Sequence, residues 1–165
     1  MKKKFNIGTV LLLEMVVLLV VFVINLIFCQ GAEWLISMAN FIDLASLLLI
    51  VLIVVPALWL SGMGQDFLRS FSIGKREYSL RELKRSLEAV QMVQRMLIYG
   101  ALITSIVAVV IILKVIGDFA LIGPNLAVAV LVIFYAAILE FLLILLKANT
   151  QNAITDLMEV EDEEA

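Results

Sequence analysis

Residues 16–28 read VVLLVVFVINLIF, a run in which Asn25 is the one polar residue. A helix with this sequence is apolar on every side, whereas a membrane β-strand alternates apolar and polar residues. Backbone amide and carbonyl groups inside a bilayer must be hydrogen-bonded within the protein, and only helices and closed barrels achieve this. The run therefore predicts a transmembrane helix, which we extend to residues 7–28.

Three more apolar stretches follow along the chain, at residues 44–60, 97–116 and 126–146. Each is close to the roughly 20 residues that a bilayer core requires. The composition agrees, because 64% of the residues are hydrophobic and 16% are charged, whereas soluble domains have about half and one quarter. We predict an all-α membrane protein with four transmembrane helices, and the composition argues against a soluble protein.

The basic residues lie near one set of helix ends. Eleven of the twelve Lys and Arg residues precede the first stretch, separate the second from the third, or follow the fourth, and Lys114 is the exception. Because positively charged segments are retained in the cytoplasm, both termini and residues 62–96 are predicted to be cytoplasmic, with residues 29–43 and 117–125 external. A cleaved signal peptide is the alternative for the first stretch, but this apolar run is longer than a typical signal core.

Residues 62–96 form a sizeable segment outside the predicted membrane region. Ser79 and Glu82 have the spacing of a capping box, in which each side chain bonds a free backbone amide of the first helical turn. No Pro or Gly interrupts the sequence from there to Gly100, so we predict one helix of about 35 residues, about 50 Å long, that continues into the third span. The charged side chains of this cytoplasmic helix are Arg81, Lys84, Arg85 and Glu88.

We predict one domain, in which residues 1–154 hold the four spans and the cytoplasmic segment. Residues 155–165 form an acidic tail that is expected to be disordered, because like charges repel one another. Apolar residues at helical spacing form a stripe along one face of the cytoplasmic helix. Because one chain offers little to cover this stripe, we expect the protein to self-associate.

The sequence contains few of the residues that catalysis requires. It has no His and one Cys, and it shows no glycine-rich phosphate loop and no serine nucleophile motif. We therefore expect no enzymatic activity, no metal site, no cofactor and no nucleic-acid partner.

Polar groups at membrane depth are the remaining candidates, because their burial is costly. Glu14 and Glu140 each lie near the predicted cytoplasmic end of a span. Two interpretations stay open: the carboxylates reach the interface, where Lys147 and the N-terminal lysines lie, or they bind protons inside an assembly. Thr104 and Ser105 are adjacent hydroxyls in the third span and are candidates for an ion pathway.

Residues 100–154 resemble a known protein family in several features. They read GALITSIVAVVIILKVIGDFALIGPNLAVAVLVIFYAAILEFLLILLKANTQNAI, with Gly and Thr early in the third span, IGPNLAVAV leading into the fourth, and Tyr followed by two Ala residues. Residues 41–51, FIDLASLLLIV, are a second cue. In these features the sequence resembles the MotA/TolQ/ExbB family of ion-driven motor subunits, most nearly its flagellar stator members.

The resemblance implies a homo-oligomer, a pentamer, in the bacterial cytoplasmic (inner) membrane. The ring would surround the helices of a two-copy, single-span partner of the MotB or ExbD kind, whose aspartate carries the ion, and relative rotation of the two rings would convert ion flow into mechanical work. Small residues and a turn before the fourth span are expected to pack against other subunits or the partner, because small side chains let helices approach closely. These residues are Gly100, Gly123, Pro124, Ala127, Ala129, Tyr135, Ala136 and Ala137.

The sequence also departs from this family. Val132, Ile133 and Phe134 stand where relatives usually carry hydroxyls, and most of the large cytoplasmic domain of the flagellar members is missing. We expect a compact stator-type subunit in which conduction is either retained or reduced. Two alternatives stay open: a small four-helix proton-coupled antiporter that uses Glu14, and a non-conducting membrane scaffold.

Overall fold

The structure is a computed structural model, and it describes residues 7–114 and 119–163. Within these residues the chain is helical apart from short connections, and no strand is present. The elements are α1 (Ile7–Gln30), a 3-10 turn (Gly31–Glu33), α2 (Trp34–Ala39), α3 (Leu44–Leu60), α4 (Gly64–Ser70), α5 (Leu80–Lys114) and α6 (Phe119–Glu163).

Four segments are long and apolar enough to cross a membrane: Ile7–Gln30, Ser37–Leu60, Leu80–Lys114 and Ile122–Glu161. They confirm the predicted all-α, multi-pass fold with four spans. The second span starts earlier than predicted, because the short helix α2 leads into α3 through a turn. The side of the membrane on which each end lies stays a prediction.

Helix α5 is continuous over 35 residues, as the sequence predicts. The capping box at its start is formed: the backbone amide of Ser79 donates to Glu82 Oε2 over 3.0 Å, and the amide of Glu82 donates to the Ser79 hydroxyl over 3.4 Å. These bonds occupy amides that the helix leaves free. The start and length of the helix are confirmed, whereas its projection into the cytoplasm stays a prediction.

Helix α6 differs most from expectation, because its 45 residues include part of the predicted external loop and most of the acidic tail. Gly123 and Pro124 lie near its start instead of before it, and the tail is helical through Glu163. Pro124 lies so near the N-terminal end that its missing amide hydrogen removes few backbone bonds. Beyond it the sequence has no Gly or Pro, and Ala, Leu, Met and Glu favour a helix. Asp118, of the predicted loop, lies outside the described residues.

The antiparallel helices α5 and α6 form the centre of the fold, with α3 packed against both and α4 packed against α5. Helix α1 lies against α6 and buries only Ile7 and Leu26. The outer faces of α1, α3 and α5 consequently expose Leu, Ile and Val side chains, as expected for helices surrounded by lipid or by other subunits. The core comprises Ile7, Ile50, Val90, Val93, Leu97, Ala101, Val132, Ala136, Leu143 and Leu146.

Candidate functional site

Two side-chain hydrogen bonds join α5 to α6. Gln94 Nε2 donates to Glu140 Oε1 over 2.8 Å, and the Ser105 hydroxyl donates to the carbonyl of Ala129 over 2.9 Å. The bonds lie eleven residues apart on each helix, which is about 16 Å along the axis. They therefore fix one antiparallel register for the pair and make the α5–α6 interface the place where polar groups meet in the membrane-spanning part of the fold.

Glu140 is the most unusual group of this interface. Its Oε1 atom accepts the bond from Gln94, which is buried, whereas its Oε2 atom is buried and has no hydrogen-bond partner among the described residues. One helical turn away on either side of Glu140, Ala136 and Leu143 belong to the apolar core. An unpartnered carboxylate oxygen in such surroundings is energetically unfavourable, so this position is suited to take up a proton or a cation.

The predicted hydroxyl pair of the third span is divided between two environments. Ser105 is buried, and its hydroxyl bonds across to the carbonyl of Ala129 on α6. Thr104 is half-buried beside it. The Ser105 proton is therefore engaged in helix packing, which leaves Thr104 as the hydroxyl with the more accessible side chain.

Tyr135, for which packing against other subunits or the partner stays a prediction, makes contacts within the chain. Its hydroxyl accepts a bond from the backbone amide of Asp43 and donates one to the carbonyl of Phe41. Asp43 is the N-cap of α3, and its carboxylate accepts from the amides of Ala45 and Ser46. Sequence reasoning missed this anchor, although Asp43 followed by Ser46 before an apolar run is a recognisable cap.

Aromatic rings from three parts of the chain surround this anchor. The Phe22 and Phe41 rings pack edge to face, with centroids 4.9 Å apart, and Phe134 lies 5.6 Å from Phe41 and 5.8 Å from Phe22. Phe134 stands where the family usually has a hydroxyl. In this chain its ring helps to hold α1 and the turn before α3 against α6, so the departure has a packing role.

The small residues predicted to serve subunit packing lie in two different environments. Three of them are buried within the chain: Gly100, Ala129 and Ala136. A Cβ atom at Gly100 would lie 2.9 Å from Ile53 Cδ1, so the glycine permits the close approach of α3 to α5. Four others are exposed and open to a further partner: Gly123, Pro124, Ala127 and Ala137.

The charged residues of α5 also differ in their surroundings, because one of them is paired and others are exposed. Arg85 Nη2 lies 2.9 Å from Asp66 Oδ2, and Arg69 contacts the other oxygen of the same carboxylate. Asp66 is buried, and its pair with Arg85 fastens α4 to α5, whereas its pair with Arg69 lies within α4. The other three charged residues named for the cytoplasmic helix are exposed: Arg81, Lys84 and Glu88. Asp66 was missed by sequence reasoning, although its spacing of three residues from Arg69 on a helix is an ion-pair signal.

Glu14 has a different environment from Glu140. It lies half-buried on α1, the least covered long helix, and it makes no hydrogen bond or ion pair with any residue in 7–114 or 119–163. The lysines at 2–4, predicted as its partners, lie outside the described residues. Of these two carboxylates, Glu140 is therefore the one with a side-chain partner among residues 7–114 and 119–163.

The described residues contain no group of three or more Cys, Asp or Glu side chains placed to hold a metal ion. In comparisons with known proteins, the chain matches no family model, no curated protein and no solved structure.

Proposed function

We propose that this protein is a compact subunit of an ion-driven membrane complex of the MotA/TolQ/ExbB kind. In this proposal several copies, a pentamer by analogy with the family, assemble in the bacterial cytoplasmic membrane around a single-span partner that resembles MotB or ExbD. Both termini lie in the cytoplasm, and the subunit transmits force without enzymatic activity or a cofactor.

The observation that carries the proposal is the pairing of Glu140 with Gln94. A carboxylate that only had to reach the membrane surface would need no buried amide on another helix. Glu140 instead has one oxygen held by Gln94 and one oxygen buried without a partner among the described residues. Such a group can exchange a proton or a cation with a carboxylate of a partner helix that passes close to α6.

The exposed surfaces of the fold provide the second line of support. Gly123, Ala127 and Ala137 lie exposed on α6, and small exposed residues on an apolar helix allow another helix to approach closely. Exposed apolar side chains also cover much of α1 and the outer half of α5. A ring of subunits would use part of this area for contacts between copies and leave the rest to lipid.

This subunit has few polar side chains that could line an ion pathway. We therefore propose that its ion flux is reduced. The Ser105 hydroxyl is engaged with Ala129, and Val132 is buried. Ions that pass a partner carboxylate need groups that replace their water, and Thr104 and Glu140 are the candidates for that role. The partner aspartate would supply the remaining ligand.

The test is proton flux into vesicles that contain the protein together with the product of the adjoining reading frame, which the proposal predicts to be a single-span membrane protein. Glu140→Gln keeps the hydrogen bond from Gln94 but removes the charge, and we expect it to abolish the flux. Glu14→Gln is the matched control and should leave the flux within about twofold of wild type, because Glu14 is not held by the fold. Equal flux through the wild type and the Glu140→Gln variant would remove the main support for the proposal.

The same vesicles distinguish the two alternatives. A proton-coupled antiporter would carry flux without any partner and would lose it in the Glu14→Gln variant. A non-conducting scaffold would show no flux in any variant, even with the partner present. The engagement of Ser105 in helix packing is the observation that favours the scaffold as the second candidate, because it removes a hydroxyl from the ion pathway that a conducting subunit would need.

A further inference from the structure

A cleft of about 730 Å³ lies between the segment that follows α4, residues 73–78, and the last turns of α6. Its floor is apolar, because Ile73 and Leu83 are buried there. Val160 lines the cleft from α6 and is 50% exposed, so the described residues leave apolar surface uncovered at the charged end of this helix. An apolar side chain that entered the cleft would bury this surface, which is favourable.

The charges around the cleft are predominantly acidic. Residues 73–78 carry two basic residues and one acidic residue (+1), and residues 153–163 carry five acidic residues and no basic one (−5), which gives a net charge of −4. Glu159 and Glu161 are exposed, and none of the ion pairs among the described residues involves them. The cleft therefore favours a ligand that is both basic and partly apolar.

The direction of α1 indicates which part of the chain reaches this cleft. The ring centroids of Phe22 and Phe134 lie 5.8 Å apart. Ile7, at the start of α1, shares the core with Leu146, which comes later in α6. Helix α1 is therefore antiparallel to α6, and the chain that precedes Ile7 leads toward residues 153–160.

The cleft also lies on the face of α6 that holds α1. Leu142 and Leu146 line an apolar groove together with Leu11 of α1. Ala153 and Val160 follow Leu146 at intervals of seven residues, and both line the cleft. Because seven residues make about two helical turns, the surface that α1 covers continues directly into the cleft.

Residues 2–5, which precede α1 and lie outside the described residues, have the composition that this cleft favours. They read KKKF, three basic side chains and one large apolar side chain. Glu159 lies thirteen residues beyond Leu146, about 20 Å along the axis, and six residues of extended chain span about that distance. We propose that residues 2–5 bind in the cleft of the same chain, with Phe5 on the apolar floor and the lysines beside Glu159 and Glu161.

This contact holds the start of α1, the least covered long helix. Among the described residues α1 buries only Ile7 and Leu26, so contacts in the cleft add substantially to its attachment. The short tether keeps the local concentration of the segment in the millimolar range, and weak contacts therefore suffice. Salt screens exposed charges, so the attachment weakens as the ionic strength rises.

Hydrogen exchange of the full chain in uncharged detergent at low ionic strength tests the proposal. Exchange of residues 153–160 is expected to be about tenfold faster than in the wild type when all three lysines are neutralised, and Phe5→Ser should have a similar effect. The matched control removes exposed charges of α5 that do not line the cleft and should exchange as the wild type does. The neutralised variant combines Lys2→Gln, Lys3→Gln and Lys4→Gln, and the control combines Arg81→Gln and Lys84→Gln.

Carbodiimide coupling of the wild type, which joins an amine to a carboxylate in direct contact, identifies the neighbours of the lysines. A mixture of unlabelled and nitrogen-15-labelled protein separates links within one chain from links between two copies, and we expect links from residues 2–4 to Glu159 or Glu161 within one chain. Equal exchange in the wild type and both cleft variants, or links between two copies alone, would overturn the proposal. Protection of residues 153–160 that appeared only after an anionic phospholipid was added would also overturn it, because the lysines would then bind headgroups.

Discussion

The hydroxyl of Tyr135 on α6 lies 2.9 Å from the backbone nitrogen of Asp43, 92 positions earlier in the chain. The same hydroxyl donates to the carbonyl of Phe41, so one side chain holds both ends of the turn that precedes α3. Asp43 then caps α3 through its carboxylate. The start of α3, within the second span, is therefore fixed by a residue of the fourth span, which links the two spans.

Replacing Tyr135 by Phe removes both bonds and leaves the packing of the ring intact. The Asp43 amide and the Phe41 carbonyl then lack their partner, and we expect the free energy of unfolding to fall by about 1–2 kcal/mol. Thermal unfolding in detergent, followed by circular dichroism, measures the change. Tyr99→Phe is the control, because Tyr99 is exposed on α5. If the two variants unfold at the same temperature, the anchor does not contribute to stability.

Asp66→Asn tests the fastening of α4 to α5. The substitution removes the charge that Arg69 and Arg85 share, and the loss is expected to destabilise the protein by about 1–3 kcal/mol, less than for a fully buried pair because Arg85 keeps contact with solvent. Hydrogen exchange should show faster opening of residues 64–70 than of the middle of α5. Glu88→Gln, an exposed charge on the same long helix, should change the stability by less than about 0.5 kcal/mol. Unchanged exchange in the Asp66 variant would mean that α4 is held by apolar packing alone.

Gly100→Leu is expected to destabilise the chain by about 1–3 kcal/mol, because its side chain would enter space occupied by Ile53. Adding Ile53→Ala should recover part of the loss, since it removes the atoms that a Cβ at position 100 would meet. Unfolding of the single and double variants measures this coupling. A purely additive result would contradict the close approach of α3 to α5.

Gly123→Leu is the matched substitution at an open position, where a Cβ would meet nothing within 4 Å in the described part of the chain. We expect the isolated chain to keep its stability. If this surface contacts another subunit, as the proposed function requires, the same variant should weaken assembly. Size-exclusion chromatography in detergent, before and after dilution, reports that difference.

The sequence predicted correctly those features of the fold that depend on local signals. The capping box at Ser79 and the stretch without Pro or Gly up to Gly100 predicted both the start and the continuity of α5. The start of α6 was misjudged because Gly123 and Pro124 read as a turn, although a proline near a helix N-terminus removes few backbone bonds. The acidic tail was expected to be disordered from its charge alone, and its helical continuation from α6 could not be inferred from composition.

Contacts between distant parts of the chain could not be predicted from the pattern of residues. Glu140 was identified as a candidate from its depth in the fourth span, but its partner Gln94 lies 46 residues away and was not. The same holds for Tyr135, whose sequence neighbours suggested subunit packing whereas its hydroxyl anchors α3. These pairings depend on the register of packed helices, which single-sequence periodicity leaves undetermined.

The central claim is that several copies of this chain assemble around a different, single-span protein. Native mass spectrometry of the complex extracted in lipid nanodiscs, with its neighbouring gene product co-expressed, tests it most directly. A pentamer of the 18.3 kDa chain has a mass of about 90 kDa, and we predict that mass plus the mass of two copies of the single-span partner. A particle with the mass of one chain, or a ring that excludes the partner, would contradict the account.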